Sequence, residues 1–237
     1  MYFKKWEELP ETMRRDAVRP YYEALEKRKA GIIVKRWIDL ILALGLSLVL
    51  SPVMLILALC IKLDSRGPVF FRQERVTRYG KLYRIFKFRT MVNDADKKGP
   101  AITKSGDARI TRMGRLLRKC RLDELPQLFN VIAGDMSFVG TRPEVKKYVD
   151  EYTEEMYATL LLPAGITSRT SIAYKDEDEV MESYLTQTGK SVDEVYVEYV
   201  LPEKMRWNLR YLKEFSVFGD FKIMIDTCLL YTSDAAD

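Results

Sequence analysis

Asp123 and Glu124 are adjacent carboxylates that follow directly on a cluster of cations, Arg118, Lys119 and Arg121. Further along, Arg142 stands between Thr141 and Pro143. Such a layout suits a negatively charged, metal-bound substrate better than it suits a packed core. One carboxylate can attack while its neighbour holds the metal, because Mg²⁺ usually takes only one or two protein carboxylates plus substrate phosphates. Arg118 and Arg121 should keep Asp123 ionised and nucleophilic at neutral pH. The plainer alternative is that Asp123 only caps a helix. It precedes the apolar pattern Leu125, Leu128, Phe129 and Ile132, with Pro126 in a first turn where a missing amide proton is tolerated. A helix start of this kind also attracts anions, so a phosphate could lie beside the carboxylate.

Composition narrows the chemistry. The chain has 237 residues and no histidine, which removes Ser-His-Asp hydrolysis, His-dependent zinc sites and imidazole proton shuttles. Lys and Arg total 39 against 34 Asp and Glu, a formal charge of +5 that fits an anionic membrane surface or a phosphorylated substrate. Binding to nucleic acid is not expected: it would need a basic stripe with exposed aromatics and would leave the long apolar segment without a role. Cys60, Cys120 and Cys228 form no CxxC and read as reduced thiols, with Cys120 packing as a small hydrophobe on a helix stripe. Gly189-Lys190-Ser191 echoes a phosphate-binding loop, but Tyr184 stands where that loop needs its first glycine. Asp176 to Glu179 reads as a solvated acidic turn.

The elements that must position these residues follow from the pattern. Residues 1–34 form a basic amphipathic extension, helical from about Glu11 to Lys29 and broken at Pro20. Its apolar side carries Tyr21, Tyr22 and Leu25, and lies either on the membrane surface or on the domain. Residues 35–66 hold a membrane-embedded helix, since Leu40 to Ile61 contains no charge and could cross a hydrocarbon core about 30 Å thick. Cations flank both ends and leave its orientation open, and Ser51-Pro52 should kink it. It either spans with a kink or turns back.

Residues 67–227 form the catalytic domain, of an α-rich α/β class. Val69–Val76 and Leu82–Arg89 read as a hairpin that turns near Tyr79-Gly80, with Lys87 and Arg89 on one face. A polar loop from Asp94 to Asp107 follows. A helix is then expected through Met113, Leu116, Leu117 and Cys120, with Arg112, Arg115 and Lys119 on another face. Further amphipathic helices are expected at 144–160, through Val145, Tyr148, Val149 and Tyr152, and at 203–214, through Met205, Leu209 and Leu212. The last ten residues, 228–237, resemble the translation of a sequencing adapter and are expected to lie outside the native fold.

The stretch from Arg118 through Asp123-Glu124-Leu125-Pro126 to Gly134-Asp135-Met136-Ser137-Phe138 and Thr141-Arg142-Pro143-Glu144 resembles the bacterial sugar transferase family. These are monotopic phosphoglycosyl transferases that start glycan assembly on a polyprenyl (undecaprenyl) phosphate carrier. The likeness runs from about Lys35 to Ile172 and continues more weakly toward 225. It implies that Asp123 attacks the β-phosphorus of a UDP-sugar, expels UMP and becomes a phosphosugar ester, which polyprenyl phosphate then takes up. It further implies that Glu124 binds Mg²⁺, that Arg118 positions the acid pair, and that Arg142, with Thr141 and Pro143, holds the donor phosphates. Gln73 and Arg75 match a Phe-x-Gln-x-Arg pattern, and Lys87 and Arg89 a Phe-Lys-x-Arg/Lys-Thr-Met pattern. These four could bind phosphate or form structural ion pairs. The resemblance also implies a re-entrant membrane helix, interfacial amphipathic helices and contact with membrane lipids. It places the catalytic domain on the cytoplasmic face of the bacterial inner membrane, in capsule or exopolysaccharide biosynthesis. Two departures stand out. Thr141 replaces a proline common in the family, and Ser168-Arg169-Thr170 replaces a glycine-rich continuation, which leaves the sugar unassigned. The competing reading is a non-catalytic membrane-anchored scaffold whose acid pair only caps a helix.

Overall fold

The computed structural model describes residues 3–93, 95, 107–174 and 177–234. They form a mostly helical α/β fold with two small sheets and one long apolar helix near the N-terminus. The polar loop expected over Asp94–Asp107 lies, except for Ala95 and Asp107, outside the described residues.

Helix α1 spans Arg19–Glu26 and has Pro20 in its first turn, where the absent amide proton has no intrahelical partner to lose. The expected break at Pro20 is therefore a helix start. Tyr21, Tyr22 and Leu25 are buried with Val139, Leu161, Leu212 and Phe215, so the apolar side of this segment lies on the domain. Arg14, Arg15, Arg19, Lys27 and Arg28 remain exposed.

Helix α2 spans Lys29–Asp64. Its inward positions, Ile32, Lys35, Asp39, Ala43, Met54, Leu57 and Ile61, recur at helical spacing and are buried. Its other faces expose Trp37, Ile41, Leu48, Val49, Leu55, Leu59 and Leu63; Leu48 and Leu63 are 77% and 79% exposed, which in water would be untenable as a continuous surface. Pro52 removes the donor that would have reached the Leu48 carbonyl four residues earlier. Ser51 Oγ donates to that carbonyl at 2.8 Å and makes good the loss. Near the start of the helix, Lys35 Nζ lies 2.6 Å from Asp220 Oδ2, and Asp39 accepts from Ser137 Oγ at 2.7 Å and Phe138 N at 3.2 Å.

Strands β1 (Phe70–Val76) and β2 (Leu82–Phe88) form the expected antiparallel hairpin, with Phe71 opposite Lys87 and Gln73 opposite Ile85. Helix α3 (Arg112–Lys119) buries Leu117 against Met54, Leu57, Ile61 and Phe88. It stops one residue short of Cys120, which is exposed at the helix end and does not pack as a hydrophobe. A 3₁₀ turn, Leu122–Glu124, leads through Leu125 and Pro126 into α4 (Gln127–Ala133), which lies against α2 and β2. Arg36 donates to the Val131 and Ile132 carbonyls at 2.6 and 3.0 Å and so satisfies the open end of α4.

Strand β3 (Met136–Val139) pairs in parallel with β4 (Ala164–Thr167), a sheet the sequence pattern did not announce. Between them lie α5 (Lys146–Val149) and a 3₁₀ segment, Met156–Leu161. The single amphipathic helix expected over 144–160 is thus split. Val149 enters the core beneath α1, whereas Tyr148 stacks 4.3 Å from Tyr196 in another cluster, and the chain turns to serve both. Helices α6 (Arg169–Ala173), α7 (Glu177–Thr188) and α8 (Val192–Val195) follow, then a π-helical turn, Tyr196–Val200. Helix α9 (Leu201–Glu214) buries Met205 and Leu212 as expected. Helix α10 (Val217–Asp234) returns to touch α2, β3 and β4. Of the segment expected to lie outside the fold, 228–234 continue this helix and 235–237 lie outside the described residues.

Candidate active site

The acid pair sits where three elements converge. Arg121 takes the left-handed backbone conformation (φ 54°), which turns the chain sharply out of α3 and into the 3₁₀ turn that carries Asp123 and Glu124. Asp123 is therefore not the cap of α4. That helix starts at Gln127, four residues later and behind Pro126, and no side chain caps it. The proline cannot donate, so the turn before it closes with 3₁₀ bonds instead, Leu125 N to Leu122 O at 3.3 Å among them.

Lys87, from the β2 side of the cleft, places Nζ 2.6 Å from Glu124 Oε1. Arg118 is held by a bond from Nε to Thr90 Oγ1 at 2.9 Å. Thr90 was part of a quoted sequence pattern, yet nothing in the pattern marked it as the tether of Arg118. Gly114 makes that tether possible, because a Cβ there would lie 2.0 Å from the Thr90 carbonyl oxygen. Asn130 was missed as well. Buried in α4, it accepts from Phe86 N at 2.8 Å and donates to Arg84 O at 3.0 Å, which locks the helix behind the acid pair to the strand bearing Lys87.

Arg142 arrives from the other sheet. At the end of β3, Gly140 and Gly165 approach so closely that a Cβ on either would meet the other strand at 2.4 Å or less. This crossing sets Thr141 beside Ala164 and lets Arg142 project outward, where it reaches Ser171 Oγ at 3.4 Å.

Other expected binding residues have different partners. Thr141 is buried and donates to the Thr159 carbonyl at 3.1 Å, which removes its hydroxyl from any substrate. Arg75 grips Gln73 Oε1 at 2.7 Å and the Pro143 carbonyl at 3.1 Å, so these three brace the loop that carries Arg142. Arg89 is buried away from the acid pair. It donates to the carbonyls of Ser65 and Arg66, both at 2.7 Å, and closes the end of α2. The partners of Arg89 are thus the carbonyls of the last turn of a long helix, which needs donors, and not the ion pair expected. The acidic run at Asp176–Glu179 begins outside the described residues, and Glu177 pairs with buried Lys204 at 3.1 Å. Ser191 caps α8 rather than any phosphate loop.

The two carboxyls are driven apart in acidity. Burial pushes the Asp123 carboxyl above its ordinary value; Lys87 opposes this, Glu124 adds to it, and Arg118 and Arg121 only temper it. The arginines thus do not by themselves make Asp123 a stronger acid than usual. Burial also raises Glu124, but the Lys87 charge and hydrogen bond, with Arg142 and Arg121, outweigh it and hold Glu124 below the usual range. Among the described residues no group of three or more potential metal ligands lies together. A pair of neighbouring carboxylates is still the donor set Mg²⁺ takes when phosphates fill the rest of its sphere. With Oε1 engaged by Lys87, Glu124 Oε2 is the atom that would hold it.

Beside the acid pair, a cavity of about 240 Å³ is lined by Leu46 and Leu50 of α2 and by Leu128, Phe138 and Ile166, together with the charged Arg121, Glu124 and Arg142 and the hydroxyls of Thr167, Ser171 and Thr227. The site thus gathers a cluster of cations around two carboxyls beside a long apolar helix.

The family model for bacterial sugar transferases matches residues 30–234. A UDP-N-acetylgalactosamine-undecaprenyl-phosphate N-acetylgalactosaminephosphotransferase of Aeromonas hydrophila is 36% identical over 198 residues, covering 82% of this chain and 42% of the relative. A UDP-glucose:undecaprenyl-phosphate glucose-1-phosphate transferase of Escherichia coli K12 is 34% identical over 200 residues, covering 82% of this chain and 39% of the relative. One of the same name from Caulobacter vibrioides is 34% identical over 214 residues, covering 88% and 74%. The chain belongs to the bacterial sugar transferase family. It spans about two-fifths of the length of the Aeromonas and Escherichia relatives.

Proposed function

We propose that this chain transfers a sugar-1-phosphate from a UDP-sugar to polyprenyl phosphate, with Asp123 as a covalent nucleophile. The observation that carries this reading is the placement of the acid pair: Asp123 and Glu124 lie within a ring of Lys87, Arg118, Arg121 and Arg142, next to an apolar cavity walled by the membrane helix. A scaffold that binds lipid needs the basic residues but not a buried Asp123 beside a half-buried Glu124 that pairs with Lys87.

In the first step an Asp123 carboxylate oxygen bonds to the β-phosphorus and the bond to the UMP oxygen breaks, so UMP leaves as an anion. In the second, a phosphate oxygen of the polyprenyl carrier bonds to the same phosphorus and the Asp123–phosphorus bond breaks, restoring the carboxylate. Arg142 and Arg118 meet the charge that gathers on the phosphoryl oxygens. Lys87 keeps Glu124 ionised. Mg²⁺, held by Glu124 and the diphosphate, would supply further charge neutralisation. The relatives' names carry undecaprenyl phosphate and UDP-sugars. The carrier here is taken to be of that class, and the sugar is left open by Ser168-Arg169-Thr170.

The helix α2 is read as entering and leaving the membrane on the cytoplasmic side, because residues on both sides of Pro52 are buried against the same domain. The test is nucleotide release by the detergent-solubilised protein with Mg²⁺, polyprenyl phosphate and a panel of UDP-sugars. UMP should appear with wild type and be lost in Asp123→Asn. Release of UDP, or UMP at wild-type rate from the variant, would overturn the mechanism.

A further inference from the structure

We propose that Lys204 is a positioning residue for Arg142, an assignment that rests on the transferase reading above. By taking up the charge of Glu144 and Glu177, it leaves the Arg142 guanidinium free to meet the donor phosphates.

Lys204 belongs to α9, and its side chain is 3% exposed, too little to reach a substrate itself. Its Nζ lies 3.1 Å from Glu144 Oε1, 3.1 Å from Glu177 Oε1 and 2.6 Å from the Tyr196 hydroxyl. The contact with Glu144 is one of charge, not a directed hydrogen bond. The Glu144 side chain is as buried as that of Lys204, whereas Glu177 is partly exposed. Glu144 stands two residues after Arg142, so Lys204 and Arg75, which binds the Pro143 carbonyl, grip the same loop. Asn208, one turn further along α9, accepts from Thr170 Oγ1 at 2.8 Å. That bond ties α9 to α6, which carries Ser171, the hydrogen-bond partner of Arg142.

Burial lowers the Arg142 guanidinium, but the charges of Glu177, Glu124 and Glu144, with Tyr196, outweigh it and hold it above its ordinary value. These carboxylates are therefore close enough to act on Arg142, yet each is bound by a lysine. Glu124 pairs with Lys87 at 2.6 Å, and the other two pair with Lys204. A guanidinium offers the same fork of donors to a carboxylate as to a phosphate. An unneutralised Glu144 or Glu177 would thus compete with the substrate for Arg142. Burial sharpens the competition, because a buried charge that has lost its partner is strongly unfavourable and draws in another cation. Without Lys204, Arg142 would turn inward to serve its own loop.

A charge cycle in the full chain tests this, read as the KM for UDP-sugar in UMP release. Glu177→Gln alone should leave that KM within about twofold of wild type, since Lys204 already holds the carboxylate. Lys204→Met/Glu144→Gln releases Glu177 while leaving no fully buried carboxylate unpaired. Here the KM should rise about tenfold or more, the loss expected when a charged hydrogen-bond donor is diverted. Adding Glu177→Gln to that pair should bring the KM back to within about threefold of wild type. An unchanged KM in the double variant, or no recovery in the triple, would overturn the proposal; the second outcome would make Lys204 a packing residue. Should the double variant fold poorly, Glu144→Gln/Glu177→Gln keeps the question open to measurement. Its donor KM should stay near that of wild type, and a tenfold rise would mean that the ion pairs only brace the loop. If wild type releases no UMP from any UDP-sugar, the transferase reading falls, and Arg142 is then read without substrate. Arg142→Met should lower the urea midpoint of the Lys204→Met/Glu144→Gln chain more than that of wild type, and equal shifts would show that Lys204 does not govern Arg142.

Discussion

Asp123 faces two conflicting demands, since a nucleophile must be ionised and burial favours the neutral acid. A carboxyl whose folded value lies above its unfolded value binds its proton more tightly in the folded state. Its ionisation therefore opposes folding as pH rises from the unfolded value through the folded one, and the cost persists at neutral pH. Asp123→Asn removes that cost. The variant should lose covalent labelling by UDP-sugar, yet melt at the wild-type temperature or above it at pH 7 in a thermal-shift measurement; a large loss of stability would show that the carboxylate is structural. Lys87 is the chief opponent of the burial effect and the partner of Glu124. In Lys87→Met both carboxyls should titrate higher, so the acid limb of the pH–rate profile should move to higher pH. An unmoved limb with a uniformly lowered rate would mean that Lys87 only binds substrate. Glu124 has the opposite sign. Its depressed value adds stability that is present above the unfolded carboxylate range and lost as pH falls through the folded value.

The elements that bring these residues together depend on close backbone approaches more than on side-chain affinity. Helix α3 can dock on Thr90 only because residue 114 lacks a Cβ, and the dock aims Arg118 at the acid pair. Gly114→Ala would place a methyl 2.0 Å from a carbonyl oxygen that belongs to fixed backbone. Overpacking of this kind costs about 1–3 kcal/mol. The variant should unfold at lower denaturant and show a depressed kcat with little change in donor KM, and wild-type kcat would show that Arg118 does not need the dock. The acid pair, the hairpin and helix α9 were legible in the sequence because each rests on local chemistry: neighbouring charges, period-two alternation, or apolar residues at helical spacing. Asn130, Thr90 and the pairing of β3 with β4 were not, because their meaning lies in contacts between distant segments. The β3–β4 strands are also four residues each, too short to show a period. Arg89 and Thr141 matched a phosphate-binding pattern, yet one closes a helix end and the other is buried against Thr159. Nothing in a motif distinguishes an arginine that binds carbonyls from one that binds phosphate.

At the scale of the molecule the question is how a chain with one long apolar helix among its described residues could keep the proposed polar reaction beside a lipid substrate. A straight helix of 36 residues would be about 54 Å long, enough to cross a hydrocarbon core of about 30 Å with room to spare, so length does not decide its path. The polar ties at its two ends bear on it instead. Lys35 and Asp39 are buried against Asp220, Ser137 and Phe138, and Arg89 binds the carbonyls at Ser65 and Arg66. A spanning helix would carry one of these sets to the far side of the membrane, away from its partners, and would leave buried charges unpaired at several kcal/mol each, about 3–5 when one partner is removed. Both ends should therefore face the cytoplasm. In a chain with Cys60, Cys120 and Cys228 replaced by serine, single cysteines at Lys29 and Lys62 should react with a membrane-impermeant maleimide in inside-out vesicles, and neither should react in right-side-out vesicles. Both positions are exposed, so access is not limited by burial. Reaction of one position from each face would mean that the helix spans. The ties at one end would then have to be broken in the membrane, and the apolar cavity walled by Leu46 and Leu50 could not stand beside the acid pair.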